Sequence, residues 1–375
     1  MTTERSALTV RARTERGPDR FRFLTVDGVT SPDAFRPAEL ALCDALWEHD
    51  PGRLLCIQAN YGVTGVVSAP VARSVTMTET SARTARCCER NAAANGVQAT
   101  VELQPVTSTY ACTFDDAAYA PRSYTPLSVG KQHIANALTA LDPGGSLFVA
   151  GRACDGINRY ENCLAELVAT PTTVTTSDDC RVLRATRPER FDPPAYVTER
   201  VLTPTIDGVD VTLVSVPGLF AAKTLDDGTR LLAKAVDIAD GERVLDLCCG
   251  YGPLGTYAAT TSDCTVWLTD DHRTATQCCE RSLEHSGVEG TVITADGVDG
   301  VRGLTFDRIL TNPPTHAGSG VLTELFAGAY DLLADDGTLD LVHHRELDLT
   351  EFLAPFDSIV ERRSGDDHVV VRAEP

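Results

Sequence analysis

The sequence predicts an α/β chain of two tandem domains, each a mostly parallel sheet flanked by helices. Three observations predict it. Short apolar runs alternate with helix-length amphipathic segments, which is the pattern of βαβ units. The pattern is written twice: RLLCIQANYG at 53–62 answers RVLDLCCGYG at 243–252, an offset of 190 residues. The tetrapeptide Cys87-Cys88-Glu89-Arg90 returns as Cys278-Cys279-Glu280-Arg281 at 191, and LDPGGSLFV at 141–149 answers LADDGTLDL at 333–341 at 192. Offsets that drift by single residues are what tandem duplication with small loop insertions leaves. The unit is far longer than the 20–50 residues of a solenoid repeat.

The elements follow in order. In the second copy the apolar run Arg243–Leu247 is a buried strand, followed by a glycine turn and a helix over Pro253–Thr260. A strand at Thr265–Thr269 precedes a helix at Arg273–Ser286, which Gly287 ends. Strands at Thr291–Thr294 and Arg308–Thr311, a helix at Gly320–Leu333 and a strand at Thr338–Val342 come next. After another helix, Ser358–Arg362 and His368–Arg372 form an antiparallel hairpin around Ser364-Gly365-Asp366. The first copy repeats this order from about Pro37 to Val168. The Pro-rich stretch Arg187–Pro194 (RPERFDPP) reads as the linker between domains at 1–188 and 195–375. Tyr196–Val216, with a turn at Asp207-Gly208, reads as a hairpin opening the second domain.

Composition narrows the class. The 375 residues suit two domains with their own cores, and no apolar run approaches the ~18–20 residues that span a bilayer. The N-terminus has charge but no apolar segment of a signal peptide, so a cytoplasmic protein with no membrane partner is expected. Thirteen cysteines include the adjacent pairs 87/88, 248/249 and 278/279 and no CxxC, so they read as small buried apolar residues in a reducing compartment. Net charge is −20, and three lysines stand against thirty arginines, which suits a halophilic, haloarchaeal cytoplasm or an acidic mesophile. Residues 1–22 run the other way, with Arg5, Arg11, Arg13, Arg16, Arg20 and Arg22 against three acids. They read as a solvated face of a first β-hairpin or as an RNA-contacting arm.

In VLDLCCGYGPLG an acid inside the strand precedes Gly250, Gly252 and Gly255. Read loosely, these glycines match the dinucleotide fingerprint. Asp246 decides against that reading, because an acid four residues before Gly250 suits a ligand carrying an ammonium group and no pyrophosphate. The stretch resembles motif I of the class I S-adenosylmethionine (SAM)-dependent methyltransferases. That resemblance implies two Rossmann-like domains with sheets of the seven-stranded type, and SAM as the cofactor. Asp246, Cys248, Gly250 and Gly252 would hold the methionine part, Asp270 the ribose hydroxyls, and Asp296-Gly297 the adenine. No metal is expected.

Downstream, DRILTNPP at 307–314 ends a strand in Asn312-Pro313-Pro314, a loop typical of methyltransferases acting on a planar amine or amide nitrogen. Such an amine is a poor nucleophile because its lone pair is delocalised. The Asn312 side-chain oxygen and the Pro313 carbonyl could accept its two N–H bonds and turn the lone pair toward the methyl group, without metal or covalent intermediate. Taken alone, Asn-Pro-Pro is also an ordinary turn.

Across nearly its whole length the chain resembles the RsmC/RlmG-type ribosomal RNA guanine-N2 methyltransferases, which are tandem domains with a degenerate first copy. Pro217-Gly218-Leu219-Phe220, Leu225-Asp226-Asp227-Gly228-Thr229 and NPPTHAG at 312–318 carry the resemblance. It implies rRNA or a ribosomal subunit as partner, and it places Lys223 and Thr229 in a loop over the SAM pocket. The family's aromatic residue, which packs on the target base, is Thr315 here; His316 and Gly318 match. His316 could stack in its place or cap the loop. His343 and His344, adjacent on a strand, read as structural or pocket-rim residues that do not share a metal. In the first copy Cys56, Asn60 and Ala120 stand where the second has Asp246, Gly250 and Asn312, so this copy is expected neither to bind SAM nor to catalyse. A monomer or weak dimer is expected. The rivals are protein glutamine-N5 methylation, DNA adenine-N6 methylation, and a non-catalytic RNA-binding or ribosome-assembly protein.

Overall fold

The runs Arg53–Ile57 and Arg243–Leu247 lack polar alternation because each is the central strand of a parallel sheet covered on both faces. The structure is a computed structural model that describes residues 4–12, 16–110, 113–177 and 179–375; Arg13 and Cys112 lie outside these. The chain divides into two compact units between Val197 and Thr198.

The first unit opens with a hairpin, β1 (Glu4–Arg11) and β2 (Arg20–Val26). It continues with α1 (Pro37–His49), β3 (Arg53–Ile57), α2 (Val63–Ser68), β4 (Ser74–Glu79), α3 (Ala82–Ala94), β5 (Thr100–Leu103) and β6 (Phe114–Tyr119). Then follow α4 (Leu127–Ala140), β7 (Leu141–Arg152), α5 (Ile157–Leu167), β8 (Thr172–Ser177) and β9 (Cys180–Thr186). Among the described residues the sheet has seven strands in the order β5-β4-β3-β6-β7-β9-β8, parallel as far as β7 and antiparallel beyond it. One core lies on each face, around Leu42, Leu46 and Tyr61 on one side and Ile134, Leu138 and Leu164 on the other. The copy therefore runs past Val168, since β8 and β9 complete the sheet.

The second unit repeats this plan. It has the short strands β10 (Arg200–Leu202), β11 (Thr205–Ile206), β12 (Val209–Asp210) and β13 (Leu213–Ser215), then α6 (Asp227–Ala233), β14 (Arg243–Leu247), α7 (Pro253–Thr261), β15 (Thr265–Asp270), α8 (Arg273–Ser286) and β16 (Thr291–Thr294). It ends with β17 (Phe306–Thr311), α9 (Ser319–Leu332), β18 (Leu333–His344), β19 (Ser358–Ser364) and β20 (His368–Glu374). The order β16-β15-β14-β17-β18-β20-β19 matches that of the first sheet strand for strand. Asp207 and Gly208, both at positive φ, turn β11 into β12. The helix expected before β19 is a series of turns over Leu349–Phe356; Pro355 denies it the length of a helix. Pro-rich Arg187–Pro194 is not a free tether. Phe191 and Tyr196 pack on the first unit, and Gln132 Oε1 accepts the N–H groups of Tyr196 (2.7 Å) and Val197 (3.1 Å).

The duplication also starts earlier than Pro37. On α3, Asn91 and Asn95 sit one helical turn apart, and each side-chain amide pairs with both the N–H and the C=O of a β2 residue. Asn91 pairs with Leu24 (2.8 and 3.0 Å) and Asn95 with Arg22 (2.8 and 2.7 Å). At the repeat offset stand Ser282 and Ser286 on α8. Ser282 accepts the Val214 N–H at 2.8 Å, and Ser286 both accepts from and donates to Thr212 (3.0 and 2.8 Å). The same strand is held by the same two helix positions in both copies.

Most described cysteines are buried, as expected, but Cys154 is exposed and Cys248 and Cys264 are half-buried. No described helix is long and apolar enough to cross a membrane.

Candidate active site

The chain leaves β14 for β15 on one side and β17 on the other, so a crevice opens at the carboxyl ends of these strands. There a cavity of about 480 Å³ is lined by Gly218–Ala221, Asp226, Thr229, Asp246, Cys248–Tyr251, Pro253, Leu254, Asp270, His272, Ala275, Asn312–His316, His343, His344 and His368. A volume of this order suits a nucleoside-sized ligand.

The turn after β14 requires its glycines. Cys248, Gly250 and Gly252 all have positive φ (63°, 57° and 86°). A Cβ on Gly252 would lie 2.6 Å from Cys279 Sγ, so only glycine lets α7 start against α8. Pro253 at the first helical position needs no hydrogen bond for its nitrogen.

Two carboxylates face each other's charge here. Asp246 is 1% exposed; its Oδ2 accepts the Gly255 N–H at 2.7 Å, and its Oδ1 is buried without a partner among the described residues. Burial pushes its pKa up to about 7, opposed by the Gly255 bond and helped by the Asp270 charge. Asp270 is also raised by burial, although its two oxygens accept the Gly250 (2.9 Å) and His272 (2.8 Å) N–H groups. An orphaned, buried carboxylate oxygen lining the cavity is a seat for a cation.

Asn312 follows β17 and is fixed from α6. Its Nδ2 donates to Asp226 Oδ2 at 3.1 Å and to Thr229 Oγ1 at 2.9 Å. Asp226 is also the N-cap of α6, accepting the Thr229 N–H at 2.8 Å. An ionised carboxylate only accepts, so the amide NH₂ must face Asp226. Asn312 is left with its carbonyl oxygen to offer. The Pro313 carbonyl takes the Thr315 N–H at 2.9 Å and keeps one lone pair.

Of the residues singled out from sequence, Asp246, Cys248, Gly250, Asp270, Thr229, Asn312, Pro313, Pro314, Thr315 and His316 line the cavity. Gly252 shapes the turn from behind it. Asp296 and Gly297 lie off it, Asp296 buried, and Lys223 is exposed and does not line it. His343 and His344 both line the cavity, because the alternation of faces lapses where β18 ends. Among the described residues no group of His, Cys, Asp and Glu could hold a metal. Sequence reasoning missed Asp226 as the residue that orients Asn312, Tyr251, whose hydroxyl donates to the Ala221 carbonyl at 3.2 Å, and His368. Asp226 carried a signal, since Asp-x-x-Thr before a helix is a cap pattern.

The equivalent place in the first unit is filled. Asn60 has φ 61°, like Gly250, and its amide pairs with both backbone groups of Thr30 (3.0 and 2.8 Å). Glu79 Oε1 accepts the Asn60 N–H at 2.5 Å and pairs with half-buried Arg122 at 2.8 Å. Arg36 donates to the carbonyls of Ala120 (3.1 Å) and Pro121 (2.6 Å), the positions of Asn312 and Pro313.

A seven-stranded sheet of this order with an acid-and-glycine turn and an Asn-Pro-Pro loop defines a class I methyltransferase. The chain belongs to the methyltransferase small domain family, which it matches twice, over residues 20–184 and 210–368. SAM is the cofactor of this class, and the orphaned Asp246 oxygen beside Asp270 fits its positive charge. The chain is 33% identical over 187 residues to a ribosomal RNA small subunit methyltransferase C of Actinobacillus succinogenes, covering 48% of this chain and 53% of that one. It is 29% identical over 244 residues to the protein so named in Pseudoalteromonas atlantica, covering 63% and 69%. With the first of these it spans about half of the relative's length. Its fold matches a T. thermophilus 16S rRNA N2 G1207 methyltransferase (RsmC), solved with AdoMet and guanosine, at TM-score 0.80 and 22% identity over 98% of both chains.

Proposed function

We propose that this chain transfers the methyl group of SAM to the exocyclic N2 amine of a guanosine in ribosomal RNA. The observation that carries the reading is the Asn312 amide, whose NH₂ is committed to Asp226 and Thr229 so that its oxygen alone faces a substrate. Bound SAM supplies an electrophilic methyl on a sulfonium. Asn312 Oδ1 and the free lone pair of the Pro313 carbonyl accept the two amine N–H bonds, which draws the nitrogen lone pair out of conjugation and aims it. Asp246 and Asp270 hold the cofactor, with Gly250 letting its methionine part approach the backbone. Asp296 and Gly297 serve adenine only indirectly, by shaping the loop after β16. His316 closes the rim over the base.

The first unit neither binds SAM nor catalyses in this reading, so calorimetry on the full chain finds one SAM site. The protein works in the cytoplasm as a monomer or weak dimer, and its lysine-poor acidic composition suits high salt, with turnover rising toward molar KCl. Incubation of rRNA or small subunits with protein and SAM, followed by nucleoside mass spectrometry, is expected to yield N2-methylguanosine. Methyl groups found on a release-factor glutamine, or no rRNA product, would overturn the reading.

A further inference from the structure

The hairpin β1–β2 presents arginine on its solvent face. Phe21 and Phe23 point inward and are fully buried, which sends Arg20 and Arg22 outward. Arg11 lies directly opposite Arg20 in the antiparallel register, and Thr9 opposite Arg22. Like charges placed directly across a strand pair destabilise it, so the pair Arg11/Arg20 is held at a cost.

Most acids around the hairpin do not relieve that cost, because they are already matched, and exposed Asp19, beside Arg20 in the chain, forms no ion pair among the described residues. Glu4 pairs with Arg90 (2.7 Å), Asp27 and Asp33 with Arg5 (2.5 and 3.0 Å), and Asp50 with Arg16 (2.5 Å). Among the described residues Arg11, Arg20 and Arg22 make no ion pair. In a chain of net charge −20, three adjacent guanidinium groups without ion-pair partners, against the single exposed acid Asp19, are a local reversal of sign.

The second copy provides the control. Its equivalent strand is held by Ser282 and Ser286 as β2 is held by Asn91 and Asn95, yet it carries Asp210 and Thr212 where the first copy carries Arg20 and Arg22. The anchoring of the strand therefore does not require arginine at either position. The paired asparagine bonds also keep the Arg22 backbone fixed, so the guanidinium groups project from a braced strand.

We infer that the solvent face of this hairpin, through Arg11, Arg20 and Arg22, is a phosphate-binding surface for the RNA substrate. The retired copy thus supplies sequence-independent hold while the other supplies chemistry. Arginine suits the task because its planar fork bonds phosphate oxygens two at a time. Phosphate contacts fix position and affinity without reading bases. The inference rests on the RNA reading above, and an acidic protein is the other occupant such a face could take.

The test compares the full chain with R11S/R20S/R22S and with R11K/R20K/R22K, using an rRNA fragment that contains the modified site. The serine variant is expected to raise KM for RNA about tenfold or more, with kcat and SAM affinity unchanged. Binding by fluorescence anisotropy is expected to lose its salt dependence by about 2 to 3 units of log–log slope, at ~0.7–0.9 per phosphate contact. The lysine variant restores the slope. Should the triple variant not fold, Arg22→Ser alone serves, its counterpart Thr212 showing that a small polar residue is accommodated there. Equal KM and equal salt slope in serine variant and parent would overturn the inference and leave an acidic protein partner as the occupant. RNA bound through these arginines but never methylated would sink the proposed function and leave this inference standing.

Discussion

The two copies differ in where the counter-charge of a buried acid is kept. In the first, Glu79 at the end of β4 has its cation inside the protein, in Arg122 at 2.8 Å, and Arg36 occupies the carbonyls that follow β6. In the second, among the described residues, Asp246 and Asp270 face a cavity lined by no lysine or arginine, and one Asp246 oxygen has no partner. A site that binds a cationic ligand must leave its own charges unsatisfied until the ligand arrives. A copy released from that duty can draw its counter-charge from its own chain, as Glu79 Oε1 does from Arg122, while Asn60 and Arg36 fill the space a ligand would take. Catalytic competence and an internal counter-charge are alternatives on one backbone.

The largest test of that contrast is Asn312→Ala. Methyl transfer is expected to fall about a hundred- to a thousandfold while SAM binding by calorimetry persists; retained turnover would remove Asn312 from the chemistry. Next comes Arg122→Ala, which strands a fully buried Glu79 and is expected to cost about 3–5 kcal/mol in denaturant unfolding, with E79A/R122A milder than the single change. An Arg122→Ala protein as stable as the parent would mean that the first copy gains nothing from its internal pair.

Asp246→Asn should act in the opposite sense on the SAM-free protein. The folded pKa near 7 lies above the ordinary 3.8, so below about pH 4 both states hold the proton. Between about pH 4 and 7 only the unfolded state gives it up, and stability falls as pH rises. At about 1.4 kcal/mol per unit the loss is at most about 4 kcal/mol, levelling off above pH 7. Replacing the acid by its neutral amide is expected to flatten that fall and to abolish the stabilisation by SAM. A pH–Tm profile superimposing on the parent's would refute the orphaned carboxylate. The smallest expected effect is Thr315→Phe, which places a ring on the Asn-Pro-Pro loop. It is expected to lower KM for RNA by about five- to tenfold, at the low end of base-stacking energies, and an unchanged KM would show that the rim histidines already do that work.

The fold was legible because its signals are local. Buried parallel strands lack alternation, and Gly287 ends α8 where it was expected to. The duplication doubled every such signal, and the turns before β19 depart from expectation because LDLTEFL has helical composition without helical length. The site was legible where chemistry follows a strand end, as at Asp246, Asp270 and Asn312. It was illegible where residues meet only through the sheet order. Asp226 reaches Asn312 across 86 residues, and His368 arrives on a strand inserted beside β18. No spacing rule carries such pairs. Asp296 shows the converse, a buried residue at the expected strand end that does not line the cavity.

The placement of β20 has a further consequence. Asn312 is set by the N-cap of α6, α6 packs against β18 and β20, and the His368 ring sits against Gly228 in its first turn. Yet β20 follows the rest of its sheet in chain order and must slot between β18 and β19. During synthesis the glycine turn and the Asn-Pro-Pro loop emerge well before the element that braces α6. On the proposed function, the amine acceptor is complete only when β20 has found its place in the sheet.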